Sequence, residues 1–216
     1  MLIPRKLSKV GTHCDSESSR YALGGILLER DDDGVNAVAS DGRRLIHLQW
    51  NDSELDVDNS KIGESVNLET EDNFQTIVLA SDLESAAKAN KPKVSQVKIK
   101  PILDYVGLDE KSSNGKLRIV STDGVGVSTK DCKAIEGRFP AWRKIVPDVS
   151  DHICITLNWE YLRDACIALG TICGDTENQG LDIYVKDSES AIVIRSNQKL
   201  SIRGQCIIMP MDNDRK

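Results

Sequence analysis

Apolar positions recur along this chain with two periods, and the switch between them predicts one unit used repeatedly. Gln75-Thr76-Ile77-Val78-Leu79-Ala80 is a short apolar run and reads as a buried strand. Ser81 then fits an N-cap, with Glu84 at capping-box spacing. Leu83, Ala86 and Ala87 line one face of the helix that follows, which stops by Asn90 with Pro92 just beyond. Strands are predicted at 94–100, 117–121 and 125–130, with a Ser/Asn/Gly turn at 112–115. The same order returns near the end of the chain. His152–Leu157 reads as a strand, Asn158 as an N-cap, and Leu162, Ala165, Cys166 and Leu169 as one helical face ended by Gly170 and Gly174. Strands follow at Leu181–Val185, Ala191–Arg195 and Cys206–Met209.

The first fifty residues carry a curtailed version. Residues 1–20 are weakly patterned, with a short helix possible from Arg5 to Val10 before Gly11 ends it. Tyr21–Glu29 reads as a buried strand whose Gly24 and Gly25 mark a bend or a close backbone approach. Asp31–Gly34 is a turn, Val35–Ser40 a strand, Asp41-Gly42 a hairpin turn and Arg43–Trp50 a strand, which together make an antiparallel meander. Residues 51–75 are acidic and read as a long loop with room for one short strand near Ser65–Leu68. The unit is strand, capped helix, then three strands, at a period of roughly 60 residues. One helix cannot bury a small antiparallel sheet alone, and two units packed side by side can. The expected class is α+β, with antiparallel sheets and the helices on one face.

Glu136–Pro147 breaks the pattern. Pro140 and Pro147 fix φ and lack a donor, so the segment suits neither a sheet interior nor a long helix. Phe139, Trp142 and Ile145 need apolar cover. The segment reads as a stiff connector, either a plain tether or one wall of a groove.

Composition narrows the function classes. Aromatic residues make up only 4% of the chain, so cores must be aliphatic. The formal charge of -6 argues against wholesale coating of nucleic acid but leaves room for a local basic face. Such a face is suggested by Lys88, Lys91, Lys93, Lys98 and Lys100. The start of the chain lacks the apolar segment of a signal peptide, and no run is long enough for a membrane helix, so a cytoplasmic address is expected. Cys14, Cys132, Cys154, Cys166, Cys173 and Cys206 form no Cys-x-x-Cys pair, and the histidines are scattered. A zinc site is disfavoured, no cofactor is expected, and the cysteines read as small buried thiols. No phosphate-binding glycine loop, metal-spaced His/Glu pair or nucleophile elbow is found, so no catalytic residues are assigned.

Three separated segments resemble the sliding clamp (beta subunit) of bacterial DNA polymerase III. They are Arg20-Tyr21-Ala22-Leu23-Gly24-Gly25 with Ala39-Ser40-Asp41-Gly42-Arg43-Arg44-Leu45, the connector Glu136–Pro147, and Ile207-Ile208-Met209-Pro210-Met211. The resemblance implies a DNA-clamp fold. Residues 1–135 would match the middle clamp domain, 136–150 the connector, and 151–216 the end of the last domain. The family's first domain has no counterpart, and Asp212-Asn213 replace the usual end of the family tail.

The resemblance also implies a groove for extended peptides from polymerases, the clamp loader and repair proteins. Its wall would be Leu23, Ser40, Gly42, Arg43, Arg44, Leu45, Pro140, Lys144, Ile145, Ile207, Met209, Pro210 and Met211. The residue types suit that task. Leu23, Ile145, Ile207 and Met209 supply apolar area, Gly42 permits close approach of a backbone, and Arg43, Arg44 and Lys144 can hold carbonyls or an acidic side chain. Clamp helices meet DNA phosphates without reading bases, so Lys88, Lys91, Lys93, Arg5, Lys6 and Lys9 become DNA-facing candidates. A solvated helix end explains the lysines equally well. Two functions follow. One is a non-catalytic, homo-oligomeric processivity factor of DNA replication; the other is a clamp-derived peptide-binding module that does not encircle DNA.

Overall fold

A computed structural model describes residues 2–15, 17, 22–51, 74–89, 105–109, 116–122, 127–173, 180–196 and 204–211 of the chain. It divides into two compact units, Met1–Val146 and Pro147–Lys216. The expectations for 52–73, for a strand at 94–100 and for a turn at 112–115 lie outside the described residues, as do Lys91 and Lys93.

The first unit holds two copies of the repeat. The first copy is β1 (Leu2–Pro4), a 3-10 helix (Arg5–His13), β2 (Gly25–Asp31), β3 (Gly34–Ser40) and β4 (Leu45–Trp50). The second is β5 (Gln75–Leu79), helix α1 (Ala80–Lys88), β6 (Tyr105–Asp109), β7 (Lys116–Thr122) and β8 (Val127–Lys133). The copies exchange their leading strands. β5 joins the first copy's meander to give the order β4-β3-β2-β5, and β1 joins the second to give β1-β6-β7-β8. Both added strands run antiparallel to their neighbours, with Leu27 opposite Ile77 and Ile3 opposite Val106. The exchange explains why neither copy stands alone, since each lends the other an edge strand.

The 3-10 helix and α1 pack together over the sheets. One core runs through both copies: Leu7 and Val10 from the 3-10 helix, Ile26 and Leu28 from β2, Leu83 and Ala86 from α1, and Ile119 from β7. Strand alternation sends Leu27, Val38 and Ile77 to the opposite face of the first sheet, where they meet Phe139 and Trp142 of the connector. Covered on both faces, this sheet needs apolar residues in succession, which is why Val35–Ser40 is buried throughout. Gly25 is required by closeness: a Cβ there would meet Ile135 Cδ1 at 2.5 Å and Ile77 Cγ2 at 2.7 Å.

The second unit holds one copy: helix α2 (Trp159–Cys173), β9 (Leu181–Tyr184), β10 (Ile192–Ser196) and β11 (Gln205–Ile208), with sheet order β11-β10-β9. Its core consists of Ala165, Leu169, Ile192, Ile194 and Ile208.

Several local expectations need correction. Ser81 is not the N-cap, because α1 already begins at Ala80 and Ser81 serves inside it as the carbonyl acceptor of Ser85 Oγ. Gly170 does not end α2, which continues to Cys173; a lone glycine costs a helix only about 1 kcal/mol. The strand expected from Tyr21 starts at Gly25, after a turn in which Gly25 N–H donates to the Ala22 carbonyl. His152–Leu157 is not assigned as a strand, since it has no ladder partner among the described residues. Asn158 does cap α2, its Oδ1 accepting the Glu160 N–H at 2.8 Å. The cysteines are not uniformly buried. Cys132 is buried, but Cys154 and Cys166 are exposed, because their segments lack the cover found in the first unit.

Candidate functional site

The connector lies across the outer face of the β4-β3-β2-β5 sheet. Phe139 and Trp142 are buried there, and Leu23 and Leu45 pack against the same cluster. Two prolines keep the segment from continuing either the sheet or a helix, so its large side chains reach the sheet from a 3-10 turn at Trp142–Lys144.

Polar groups fix it in place. Trp142 Nε1–H donates to Glu29 Oε1 at 3.1 Å. The Arg143 guanidinium spans Glu29 and Asp31, at 2.6 Å to each, and covers the Trp142 ring at 4.4 Å. The His47 ring tilts against Trp142 at 4.3 Å between centroids, and its Nε2 lies 2.8 Å from Asn36 Oδ1. Asn36 Nδ2 donates in turn to Asp31 at 2.9 Å. Burial and the neighbouring Arg143 hold the His47 pKa below its usual value, so the ring favours its neutral form. Sequence reasoning did not assign Glu29, Asp31, Asn36 or His47 to the site. The available signal was alternation: β2, β3 and β4 place them on the face that the apolar connector needs. Between this face and the connector lies a cleft of about 530 Å³, bordered by Gln75, Ile77, Ile135, Arg138, Pro140 and Lys144.

Ser40–Arg44 forms a pinned turn at one end of this face. Asp41 Oδ1 accepts the Arg43 and Arg44 N–H groups, each at 3.0 Å. Ser40 Oγ accepts from the Gly42 N–H and donates to the Arg44 carbonyl. The backbone donors from Arg43 and Arg44, helped by the Arg44 side chain, lower the Asp41 pKa to about 2. Gly42 has φ of 82°, a left-handed conformation, and open space where a Cβ would stand. Arg44 is already engaged, donating to Asp41 at 2.9 Å and to the Thr12 carbonyl at 2.8 Å.

Of the remaining groove candidates, Pro140 is half-buried, while Lys144 and Ile145 are exposed, Ile145 at 61%. In the second unit Ile207, Met209 and Met211 are exposed, Met209 at 66%, and Pro210 is half-buried. The Met211 N–H donates to the Thr156 carbonyl at 2.8 Å, which ties the tail to the segment preceding α2.

The basic candidates that are described gather on the paired helices of the first unit. Arg5 donates to the carbonyls of Ala87 and Ala89 at 3.0 and 2.9 Å and so closes the C-terminal end of α1. Lys88 pairs with Glu84 at 2.7 Å, and that pairing, with a smaller contribution from Lys9, lowers the Glu84 pKa. Lys9 is exposed, and the Lys6 side chain lies outside the described residues. Among the described residues, no group of His, Cys, Asp and Glu is arranged to hold a metal ion, and no helix is long and apolar enough to cross a membrane.

No family model matches the chain, and no curated protein matches it. Solved structures do. The DNA polymerase III subunit beta of Pseudomonas aeruginosa superposes with a TM-score of 0.64 at 18% identity, over 97% of this chain and 50% of that one. The beta chain from Streptococcus pneumoniae gives 0.62 at 16%, over 97% and 48%. The Bacillus subtilis sliding clamp gives 0.63 at 13%, again over 97% and 48%. This chain therefore spans about half the length of the clamps it matches. Paired strand-helix-three-strand copies, exchanged leading strands and a connector laid across the sheet amount to the fold of a bacterial DNA polymerase sliding clamp, over about half of that fold's length.

Proposed function

We propose that the chain is a non-catalytic, clamp-type accessory protein that tethers replication and repair proteins by binding their extended peptides. The observation that carries this reading is the exposure of large apolar side chains at positions that resemble the clamp's peptide-binding residues. Ile145 supplies such a side chain in the first unit, which also holds Leu23, Leu45 and Pro140; Ile207, Met209 and Met211 supply a surface in the second. Leaving four large apolar residues in water costs solubility without helping the core, which suits residues kept for contact with a partner. The Ser40–Arg44 turn adds a rigid polar edge, with Arg43 and Lys144 exposed for carbonyl or carboxylate contacts. The Pseudomonas aeruginosa clamp that matches with a TM-score of 0.63 was solved bound to griselimycin, so that fold offers a ligand site in a related architecture.

DNA is the second proposed partner. Contact would be with phosphates, without base reading, through the helix face that carries Lys9 and Lys88 and through Lys6, Lys91 and Lys93. Arg5 supports this face by holding the end of α1.

The deciding experiment is titration of the full chain with an extended peptide bearing two or three large apolar residues, of the kind polymerases use to reach clamps. Binding is expected in the micromolar range, roughly −7 to −9 kcal/mol. If the surface of the first unit takes the peptide, Leu23→Ala should weaken it at least several-fold; if that of the second does, Met209→Ala should, because few anchors dominate a small interface. Unchanged affinity in both variants would reject both surfaces.

A further inference from the structure

We infer that the cleft between the connector and the β5 end of the first sheet is a binding site for a small amphipathic organic acid, a carboxylate carried on an apolar body. The inference stands on this cleft alone and does not require the peptide surfaces.

The cleft is held open by its own bonds. Its floor is the outer face of β2 and β5, where Leu27 stands opposite Ile77 and Glu29 opposite Gln75. One wall is the stretch at Ile135, whose N–H donates to the Ile77 carbonyl at 2.8 Å. Gly137, with φ of 142°, lets the chain turn between the two walls. The other wall runs from Phe139 to Lys144 and is fastened by the Trp142 bond to Glu29 at 3.1 Å. The enclosed volume of about 530 Å³ falls within the roughly 300–1,000 Å³ of small-molecule sites.

Charge selects the sign of the ligand. The chain carries a formal charge of -6, yet Arg138, Arg143 and Lys144 line this cleft with a single carboxylate, that of Glu29. Glu29 is already compensated, since Arg143 lies 2.6 Å from it and Trp142 donates to it. Arg138 and Lys144 are exposed, and among the described residues their side chains have no ion pair and no hydrogen bond. The Gln75 amide is uncommitted in the same sense and supplies a neutral donor. An anion therefore gains charged and amide contacts here without breaking an internal pair.

The surroundings decide which anion. Single-stranded nucleic acid held by its phosphates would stack its bases on open aromatic faces. Phe139 is buried, and the Trp142 ring has the Arg143 guanidinium 4.4 Å and the His47 ring 4.3 Å from its centre. An extended peptide would add along a strand edge. The β5 edge is already taken at Ile77 by Ile135. A small acid needs neither feature. Its carboxylate meets Arg138 and the Gln75 amide, and its apolar body lies against half-buried Ile135 over the Leu27 and Ile77 floor.

The test is calorimetric titration of the full chain with naphthylacetate as the probe, and with its neutral amide, acetate and inorganic phosphate as comparisons. Naphthylacetate should bind with a Kd of about 0.1 mM, as suits a ligand of that size. The neutral amide should bind about tenfold more weakly, and acetate and phosphate should not saturate. Amide resonances of Ile135 and Arg138 should move during the naphthylacetate titration. Arg138→Gln should weaken naphthylacetate about tenfold and leave its amide unaffected, the mark of one lost charged contact. Gln75→Trp should fill the cleft and remove both. Both positions are exposed, so both variants should melt with the parent by circular dichroism. No saturation by naphthylacetate up to about 5 mM, some fifty times the expected Kd, overturns the inference. Equal affinity for acid and amide overturns it as well, as does binding that ignores both substitutions or moves resonances of the second unit alone. Saturable phosphate binding lost in Arg138→Gln would replace the amphipathic acid by a bare anion and overturn it too.

Discussion

The Trp142 indole donates to the Glu29 carboxylate at 3.1 Å, joining residues 113 positions apart in the chain. This bond fastens the connector to β2. The acceptor is charged and its environment largely closed, so the bond is of the stronger kind, about 1.5–3 kcal/mol. Trp142→Phe keeps the ring and removes the donor, and should destabilise the first unit by about that amount. Trp142→Ala adds a cavity between Leu27, Val38 and Phe139 and should cost roughly 3–5 kcal/mol. Urea unfolding followed by circular dichroism measures both. Equal stability of Trp142→Phe and the parent would show that Glu29 finds its full compensation in Arg143.

His47 gives the same face a pH dependence. Its folded pKa lies below the unfolded value, because burial and Arg143 oppose a positive charge on the ring. The unfolded chain therefore binds more protons over that interval, and stability rises with pH through it. Falling pH should lower the melting temperature below about pH 6.5, the unperturbed histidine value, until the folded ring also titrates. His47→Gln should flatten this part of the curve. If parent and variant trace parallel melting curves from pH 7 to pH 5, His47 is not the titrating group.

The repeat was legible because it rests on alternation and helical spacing, which are local. Gln75–Leu79 followed by Leu83, Ala86 and Ala87 has the pattern that the structure shows, and Asn158 sits where a cap belongs. The exchange of leading strands was not legible. Leu2–Pro4 is three residues long and carries a proline, so it has no strand signal of its own; it becomes a strand only because β6 offers it an edge. His152–Leu157 fails in the opposite direction, having the pattern without a strand ladder among the described residues. The buried role of Trp142 followed from its apolar surface, but its fastening did not, because Glu29, Asp31 and His47 read as solvent-facing polar positions until the connector covers them.

The cysteines test how completely each unit is covered. Burial raises the pKa of Cys14 and of Cys132 to about 11, so both stay protonated at neutral pH and react slowly with a disulfide reagent. Cys154 and Cys166 are exposed in the single chain. In a thiol assay at pH 8 on freshly diluted protein, Cys154 and Cys166 should react in the fast phase, with Cys14 and Cys132 reacting only on unfolding. Mass spectrometry of the labelled peptides identifies each. Fast labelling of Cys132 would show that β7 and β8 open readily in solution.

The Ser40–Arg44 turn combines a backbone requirement with an electrostatic one, and the two can be separated. Gly42 has φ of 82°, and a Cβ there would meet nothing within 4 Å, so the demand is for a conformation rather than for space. Asparagine visits the left-handed region readily and a β-branched residue does not. Gly42→Asn should leave stability nearly unchanged, whereas Gly42→Val should cost roughly 1–2 kcal/mol, the left-handed penalty for an ordinary side chain. The electrostatic part belongs to Asp41, whose carboxylate accepts the Arg43 and Arg44 N–H groups and keeps its pKa at about 2 instead of 3.8. A depressed carboxylate pKa contributes stability that is whole above 3.8 and is lost as pH falls toward 2. In an acid titration by nuclear magnetic resonance, the amide signals of Arg43 and Arg44 should shift with a midpoint near 2, and Asp41→Ala should already show the acid-like positions at neutral pH. A midpoint at 3.8 would mean that the carboxylate is not held by those donors. The turn would then owe its shape to Gly42 and Ser40 alone, and Arg44 would be released from Asp41 for contact with a peptide.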